Sequence, residues 1–206
     1  MRIALTMRVT NAADYHEPRD SISHDWMRTL EGWGMTPLPT PNAVADAAAY
    51  LSALSPDLLI LTGGDDSGDI PERDKAEGLM LSHAIDVGLP VLGVCRGMQM
   101  INQHYGGKTV SVEGHAGNSH AVAIEPTWQN FYGAETMVNS YHRLGISGDE
   151  LGQGLTPTVF DGNNLVEGFQ QREKKLAAIM WHPEREHAPA GDRRLIEMLI
   201  AGETGS

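Results

Sequence analysis

Residues 90–99 have the sequence PVLGVCRGMQ, which predicts a short apolar strand, a tight turn and the start of a helix. Cys95, the only cysteine among 206 residues, lies at that turn between Gly93 and Gly97. A side chain raised on such a turn has the geometry of a nucleophile elbow, here with cysteine in the place of serine. A helix N-terminus also stabilises a thiolate, the reactive form of cysteine. The stretch therefore predicts a cysteine nucleophile, although a lone buried cysteine is more often a packing residue.

A second polar segment follows an apolar run near the C-terminus. After residues 177–180 and a tryptophan come His182, Pro183 and Glu184. Proline disfavours helix at the preceding residue, and residues two apart in an extended segment face the same side. Glu184 can then orient the His182 imidazole while its other nitrogen takes the Cys95 thiol proton. An isolated segment of this kind is more often a solvated turn, but its position at a strand end, like that of Cys95, favours a common site.

A glycine pair, Gly63-Gly64, follows the apolar run 58–61. Backbone N–H groups exposed at such a strand end can bind an oxyanion, together with the N–H of Arg96 just after the cysteine. The same pair is equally compatible with a plain tight turn.

The order of the apolar runs predicts the fold class. Strands and helices alternate up to residue 107, and short β-type runs follow, which predict antiparallel or mixed strands. We therefore expect an α/β fold in one domain over residues 1–206: a flavodoxin-like, doubly wound, mostly parallel sheet with a C-terminal antiparallel extension. The predicted strands are 3–7, 35–38, 58–61, 90–94, 109–112, 121–124, 158–160 and 176–181, and the predicted helices are 21–33, 43–54 (capped by Asn42), 73–87, 98–105 and 193–200.

Composition restricts the partners. With 27 acidic against 15 basic residues the net charge is −12, which argues against binding of a nucleic acid polymer. No stretch approaches the ~20 apolar residues of a membrane span, and a single cysteine fits a reducing compartment, so we expect a cytoplasmic protein without membrane contacts. Four histidines lack the spacing of metal ligands, so the sequence predicts no metal and no other cofactor: His104, His115, His120 and His187.

The motifs resemble a known family. The segment from Gly93 to Gln99, together with His182-Pro183-Glu184, resembles the class I glutamine amidotransferase superfamily, and its Cys-Arg-Gly-x-Gln form is similar to the γ-glutamyl hydrolase branch. The resemblance spans most of the chain, and the combination of motifs is specific although each motif alone is not. Further matching motifs are Gly63-Gly64 with a following Asp, Arg73-Asp74, Asn102, Gly106-Gly107 and Val138-Asn139-Ser140-Tyr141-His142.

The resemblance implies a Cys-His-Glu triad that attacks the γ-carbonyl of a glutamyl group, forms a thioester and releases an amine. Carried over by position, Cys95 is the nucleophile, His182 the general base and acid, and Glu184 its orienting partner. The N–H groups of Gly64 and Arg96 form the oxyanion hole. The residues that hold the amino and carboxylate ends of the glutamyl group are Gln99, Asn139, Ser140, Tyr141 and His142, for the last of which a structural role is comparably supported.

The N-terminal region departs from the γ-glutamyl-γ-aminobutyrate hydrolases of this branch, which are longer. Its compact segment 8–26 is similar to the γ-glutamyl-CDP-amidate hydrolases of capsule phosphoramidate pathways, which release glutamate and a cytidine diphosphoramidate. This resemblance implies arginine counter-charges for a diphosphate, although each such arginine is more often an ordinary surface or structural residue. The candidates are Arg8, Arg19, Arg73 and Arg96, of which Arg19 is assigned to the substrate site.

Three functions stay open at this point. The first is a stand-alone hydrolase of a small γ-glutamyl compound, the second a glutaminase subunit that delivers ammonia to a synthase partner, and the third a non-catalytic binding domain. No synthase domain is fused within 206 residues, which favours the first over the second. The three triad residue types argue against the third, and an α/β-hydrolase triad would place its acid before the histidine, unlike Glu184. Whether the chain forms a homodimer is open as well.

Overall fold

A nine-stranded sheet lies at the centre of the protein, of which the computed structural model describes residues 1–202. The predicted domain 1–206 thus extends into residues 203–206, which lie outside the described part. The strands are β1 (Arg2–Thr6), β2 (Arg8–Asn11), β3 (Pro18–Ser21), β4 (Thr36–Thr40), β5 (Leu58–Leu61), β6 (Val91–Val94), β7 (Val110–Ser111), β8 (Ala116–Ile124), β9 (Glu135–Tyr141), β10 (Leu144–Gly145), β11 (Thr156–Asp161), β12 (Val166–Gln171) and β13 (Leu176–Ile179). The α-helices are α1 (His24–Gly32), α2 (Ala47–Leu54), α3 (Pro71–Val87), α4 (Arg96–His104), α5 (Gln129–Tyr132) and α6 (Asp192–Ala201).

The central sheet has a parallel half and an antiparallel half. Its strand order is β4-β1-β5-β6-β13-β12-β11-β8-β9. Every pair from β4 to β13 is parallel, and every pair from β13 to β9 is antiparallel. The predicted α/β fold with its antiparallel extension is therefore confirmed. Because β6 and β13 are parallel neighbours, the residues that follow them leave the sheet at the same edge.

Helices cover both faces of the parallel half, which explains its uniformly apolar strands. In β5, Leu58 and Ile60 pack with residues of α1 and α6, whereas Leu59 and Leu61 pack with residues of α2, α3 and α4. All four of these side chains have no exposed surface. None of the described helices combines the length and the apolarity that crossing a bilayer requires.

Two predicted helices begin later than expected. Residues 18–21 form β3, which pairs with β2 in a hairpin, and α1 begins only after Ser23, whose hydroxyl accepts from the N–H of Asp25. Helix α2 is capped by Asp46 and not by Asn42. The Asn42 amide instead donates to the Met7 carbonyl at 2.9 Å and to the Asp20 carboxylate at 2.6 Å. A long-range contact that local sequence does not reveal thus replaces the predicted cap.

The prediction missed or shortened several strands. Strand β4 continues through Pro39 because it is an edge strand: Pro37 and Pro39 alternate with Leu38, so the missing N–H groups fall on the side without a neighbour. Strands β9 and β12 were not predicted. Both lie in the antiparallel half, and β12 includes polar residues that are nevertheless buried, such as Glu167 and Gln170.

A close approach of backbone fixes the start of α4 against the sheet. A Cβ atom on Gly97 would lie 2.0 Å from the carbonyl oxygen of Leu61, and one on Gly93 would lie 2.8 Å from the carbonyl carbon of Gly97. Only glycine permits these contacts, since real Cβ atoms do not approach backbone so closely. The two glycines that flank Cys95 therefore bring it close to the end of β5.

We expect Gly97→Ala to lower the free energy of unfolding by about 1–3 kcal/mol, because α4 must move away from β5 to accommodate the methyl group. Gly78→Ala is the matched control, because Gly78 lies inside α3 with only the Met100 methyl group near its Cβ position, at 3.9 Å. That variant should be stabilised by up to about 1 kcal/mol through helix propensity. Urea denaturation measures both changes, and equal stability of the two variants would contradict the close approach.

Candidate active site

Cys95 lies on a strained turn between β6 and α4. Its backbone angles are φ 53° and ψ −107°, a conformation that non-glycine residues adopt rarely. The side chain is buried to 7% relative exposure and lies at the wall of a cavity. As the first residue of α4, Arg96 has a backbone N–H with no acceptor inside the helix. The local geometry is that of the predicted nucleophile elbow.

His182 and Glu184 meet Cys95 from the end of β13. The Nδ1 atom of His182 lies 2.8 Å from Oε1 of Glu184, and both side chains are 3% exposed. Cys95 and His182 both lie beside Gly63, where an added Cβ atom would lie 3.5 Å from Cys95 Cβ and 3.4 Å from His182 Nε2. A Cβ on Gly63 would lie 2.6 Å from the imidazole, so the glycine leaves room for the ring. The structure thus brings the three predicted triad residues together, in the order thiol, imidazole, carboxylate.

The pKa of His182 follows from these contacts. Burial by itself lowers the pKa of the imidazole, but hydrogen bonds to Cys95 and Glu184, together with the charges of these groups, outweigh it. The pKa is raised from 6.5 to about 9. The ring is therefore held as an imidazolium at neutral pH, which is the form that pairs with a thiolate and can donate a proton.

Asn139 holds the histidine in place. Its amide nitrogen donates to the carbonyl oxygens of His182 at 2.9 Å and Glu186 at 3.0 Å, and its Oδ1 accepts from the His182 N–H at 2.9 Å. The Ser140 hydroxyl donates to the His115 carbonyl. These two side chains are not among the residues that line the cavity beside Cys95, and their contact with a substrate stays a prediction. Their polar groups fix the backbone on both sides of the site.

The cavity beside Cys95 has a volume of about 350 Å³. Of the predicted substrate residues, Gln99, Tyr141 and His142 line it. Gln99 donates from Nε2 to the Leu144 carbonyl at 3.0 Å, while its buried Oε1 has no hydrogen-bond partner among residues 1–202. The remaining lining residues are Arg8, Gly64, Asp65, Asp66, Asp69, Cys95, Arg96, Ala116 and Arg143.

Tyr141 and Arg185 close the site near the histidine. The Tyr141 ring meets the His182 imidazole edge-on with centroids 5.6 Å apart, and the Arg185 guanidinium lies 4.1 Å from the centre of the Tyr141 ring. Arg185 also lies 3.7 Å from the Glu184 carboxylate. Sequence reasoning did not identify Arg185, although it directly follows the His-Pro-Glu motif.

Arg73 and Arg96 have structural partners, which corrects their assignment as counter-charges for a substrate. The Arg73 side chain is 0% exposed and donates to the carbonyl oxygens of Thr62, Gly63 and Gly64. It shares the buried carboxylate of Glu77 with Arg96. Each guanidinium therefore stabilises the protein interior, and neither faces the cavity with a free charge.

The N-terminal hairpin places Arg8 at the cavity beside Cys95, but it does not place Arg19 there. Arg8, at the start of β2, lies against Gly64 and pairs with Asp65 at 3.4 Å. Arg19, on β3, instead pairs with Glu17 at 2.6 Å and with the Tyr15 hydroxyl, and it does not line the cavity beside Cys95. Arg19 thus does not line this cavity, and its assignment to the substrate site stays a prediction, whereas Arg143, which was not predicted, lies at the cavity.

The fold also brings together histidines that are distant in sequence. The ligand-type atoms of His115, His120 and Glu167 lie within 4.8 Å of one another. Burial lowers the pKa of His120, an effect that the charge of Glu167 partly opposes. The sequence predicts no metal ligands because these histidines lack the usual spacing along the chain. Spacing along the chain does not reveal side chains that come together from different strands of a sheet.

The fold and the arrangement of Cys95, His182 and Glu184 define a class I glutamine amidotransferase-like protein. The chain belongs to the peptidase C26 family, whose model matches residues 3–184. The family and its hydrolase relative support a hydrolase at the level of the family.

Similarity to individual proteins agrees with this family. The chain is 29% identical to the γ-glutamyl-CDP-amidate hydrolase of Campylobacter jejuni, over 91% of this chain and 92% of that protein. It is 30% identical to the carbamoyl phosphate synthase small chain of Maricaulis maris, over 79% of this chain but only 40% of that protein. Among solved structures, a Thermoplasma acidophilum protein provisionally described as belonging to a GMP synthase superposes with a TM-score of 0.74 over 98% of this chain and 93% of its own, at 24% identity, which supports the fold.

The raised pKa of His182 predicts how the ring titrates. Because the folded pKa of about 9 exceeds the ordinary 6.5, this group stabilises the fold fully below pH 6.5, and its contribution is lost as the pH rises through about 9. NMR titration of the His182 Cε1–H signal should give a midpoint near 9, which moves down in Glu184→Gln because a charged hydrogen-bond partner is removed. A midpoint near 6.5 in the unaltered protein would contradict the described contacts.

Proposed function

We propose that the protein is a cysteine-dependent hydrolase that cleaves a γ-glutamyl amide and releases glutamate and an amine. The observation that carries this proposal is the placement of Cys95 beside His182, whose other side bonds to Glu184, with Cys95 on a strained turn at a helix N-terminus. A thiol beside an imidazole that is oriented by a carboxylate is the arrangement of an activated nucleophile.

In the proposed reaction the Cys95 proton already resides on His182, and the thiolate Sγ attacks the γ-carbonyl carbon of the glutamyl group. The carbonyl oxygen becomes a tetrahedral oxyanion. The imidazolium then protonates the leaving nitrogen, the bond between carbonyl carbon and nitrogen breaks, and a thioester remains. A water molecule gives a proton to the now neutral His182 and attacks the thioester, which releases glutamate and restores the pair of thiolate and imidazolium. Glu184 keeps the imidazole oriented through both halves of the reaction.

The backbone N–H groups of Gly64 and Arg96 are the proposed oxyanion hole. Both residues line the cavity with Cys95. Arg73 donates to the carbonyl oxygens of residues 62–64 and thereby fixes the peptide planes of that loop, including the one that carries the Gly64 N–H. Donors that are held in place before the reaction stabilise the oxyanion without reorganisation. This fixed loop favours a stand-alone enzyme over a glutaminase that a partner must activate.

Gln99 is the proposed contact for the glutamyl amino group. Gln99 lines the cavity, and its Oε1 has no hydrogen-bond donor among residues 1–202, so the ammonium group of a ligand is a suitable partner. Tyr141 and His142 contribute the neighbouring wall. This assignment replaces the side chains of Asn139 and Ser140, which are bonded to backbone groups.

For the leaving group we propose a cytidine diphosphoramidate, so that the substrate is γ-glutamyl-CDP-amidate. The similarity to the Campylobacter jejuni enzyme of that name extends over nearly the full length of both chains, which supports this substrate. Arg8 and Arg143 lie at the cavity and offer positive charge to a diphosphate. The P–N-linked amide would then be cleaved at its glutamyl carbon.

A glutaminase subunit is the alternative that a specific observation favours, namely the similarity to a carbamoyl phosphate synthase small chain. This chain covers only 40% of that relative, so the rest of the small chain has no counterpart in the comparison. Hydrolysis of γ-glutamyl-γ-aminobutyrate is a further alternative within the same chemistry. The nucleotide amidate, glutamine and the aminobutyrate compound differ in the amine that is released, and a direct comparison of these substrates distinguishes the three functions.

Substitutions in the triad should reduce turnover to different extents. Cys95→Ala should abolish glutamate release, because no thioester can form. His182→Ala should lower kcat by about 10²–10⁴-fold through loss of acid–base catalysis, and Glu184→Gln should cost less. Glutamate release is measured by a coupled assay, with circular dichroism as the test of folding.

Glu186→Gln is the matched control for Glu184→Gln, because Glu186 is exposed and only its backbone carbonyl contacts Asn139. It should leave kcat unchanged. Turnover that persists in folded Cys95→Ala, or equal rates in the two glutamine variants, would refute the proposed triad.

A panel of substrates tests the leaving group. Purified protein is offered γ-glutamyl-CDP-amidate, γ-glutamyl-γ-aminobutyrate and glutamine, and kcat/KM is measured for each. We expect the nucleotide amidate to be preferred. Arg143→Ala should raise its KM by about 10–100-fold, the range expected when a charge-assisted hydrogen bond is lost.

Arg28→Ala serves as the control for that substitution, since Arg28 is exposed on α1 and pairs with Asp25 at the surface. A preference for glutamine that grows on addition of a synthase would support the glutaminase alternative. A preference for the aminobutyrate compound would exclude the nucleotide substrate while leaving the triad chemistry in place.

A further inference from the structure

A cluster of histidine and carboxylate side chains lies in the antiparallel half of the sheet, beside the cavity. His120 belongs to β8, His115 immediately precedes that strand, and His142 follows β9. Glu167 lies on β12, and Asp161 is the last residue of β11. The relative exposure of His115, His142 and Glu167 is 6%, 4% and 1%. Only His142 has a contact in the reaction proposed above, so the cluster needs its own explanation.

A hydrogen bond on the outer side of the His142 ring and an ion-pair contact on the outer side of the His115 ring indicate where their lone pairs point. His142 Nδ1 lies 3.1 Å from the Leu144 carbonyl oxygen, which only accepts, so this nitrogen carries the hydrogen. His142 Nε2 then directs a lone pair at Glu167 Oε1, 3.4 Å away. Likewise His115 Nε2 lies 3.4 Å from Asp161 Oδ2, and its Nδ1 faces Glu167 Oε1 at 3.8 Å. When both rings are neutral, His142 Nε2 and His115 Nδ1 therefore face the Glu167 carboxylate as acceptors, and no hydrogen lies between the facing atoms.

The atoms at the centre of the cluster lack partners. Five buried atoms have no hydrogen-bond partner among the described residues: Glu167 Oε1, Glu167 Oε2, His115 Nδ1, His120 Nε2 and His142 Nε2. A buried carboxylate without a partner is strongly unfavourable, and so many converging orphaned atoms are rare in native proteins. A proton on one ring satisfies one of these contacts, whereas a metal ion at the centre satisfies several at once.

The ligand atoms have the spacing and the chemistry of a transition-metal site. An ion with bonds of about 2.0–2.1 Å spaces tetrahedral ligands about 3.3–3.4 Å apart. The separations between Glu167 and the three rings are 3.4–3.8 Å. Imidazole with carboxylate favours Zn²⁺ and its neighbours, whereas Ca²⁺ and Mg²⁺ take mainly oxygen ligands. Asp161 faces Nε2 of His115, the ring nitrogen directed away from Glu167. A carboxylate in this position commonly orients a metal-binding histidine.

We propose that this cluster binds one divalent transition-metal ion of the zinc class. The ligands are His115 Nδ1, His120 Nε2 and a Glu167 oxygen, with His142 Nε2 in the fourth position. The ion cross-links β8 to β12 and to the segment after β9. Because His142 also lines the cavity, the ion holds part of the cavity wall in place. It is separate from the thiol and takes no part in bond breaking.

Metal binding is best measured in the Cys95→Ser background, so that the thiolate cannot bind the ion. The chelator-treated protein is titrated with Co²⁺ and with Zn²⁺, followed by visible absorption and by calorimetry. We expect one ion per chain and a tetrahedral Co²⁺ spectrum without thiolate charge transfer. Asp161→Asn should weaken binding by about 10–100-fold, as for other outer partners of metal ligands, and Glu167→Gln should weaken it by at least as much.

His120→Asn and His16→Asn form the matched pair for the second measurement. The His120 side chain is 22% exposed and tolerates substitution, and His16 is exposed on the N-terminal hairpin, away from the cluster. Zn²⁺ should raise the unfolding temperature of Cys95→Ser and of its His16→Asn derivative, but not that of the His120→Asn derivative. Failure of folded Cys95→Ser to bind an ion, or the same rise in unfolding temperature with His120→Asn, would overturn the proposal even if Glu167→Gln does not fold.

Discussion

One buried carboxylate, that of Glu77, holds together the two backbone segments on which the candidate site depends. Arg73 and Arg96 both pair with it, and all three side chains are at most 2% exposed. Arg73 in turn donates to the carbonyl oxygens of residues 62–64, while Arg96 begins α4 beside Cys95. Removing one member of such a buried group typically costs about 3–5 kcal/mol, because a charge is left without a partner. Helix α3 thus positions the glycine loop through Arg73 and the cysteine turn through Glu77 and Asp74, which both pair with Arg96.

The parallel half of the sheet was predictable because its strands are apolar throughout and its helices have clear ends. Leu58 to Leu61 and the Gly88 cap of α3 follow local rules that a sequence displays directly. The antiparallel half was less predictable. Strand β12 carries Glu167 and Gln170 in buried positions, so its polar pattern resembles a surface segment although it lies between two neighbours. Burial of those side chains depends on partners from distant strands.

The candidate site likewise has features that follow from local sequence and features that depend on contacts between distant segments. Cys95 and the His182-Pro183-Glu184 segment were predictable because each has a local signature, and the fold brings them together through the parallel pairing of β6 and β13. The role of Asn139 was not predictable, since its amide bonds to backbone groups more than 40 residues away. The histidine cluster was missed for the same reason: its members come from separate strands, and no short motif records their approach.

The tip of the hairpin of β2 and β3 can vary in sequence independently of the candidate site. It belongs to its own two-stranded sheet and is tied to the glycine loop through Asp65, which accepts from the Val9 N–H at 3.1 Å and also pairs with Arg73 at 3.0 Å. The far end of the hairpin is exposed, and only Arg8 at its base lines the cavity beside Cys95. Substitutions or changes of length in residues 12–17 can therefore be accommodated while the cysteine, histidine and glycine loop keep their positions. The fold tolerates sequence variation at the tip of this hairpin without a cost to the candidate site.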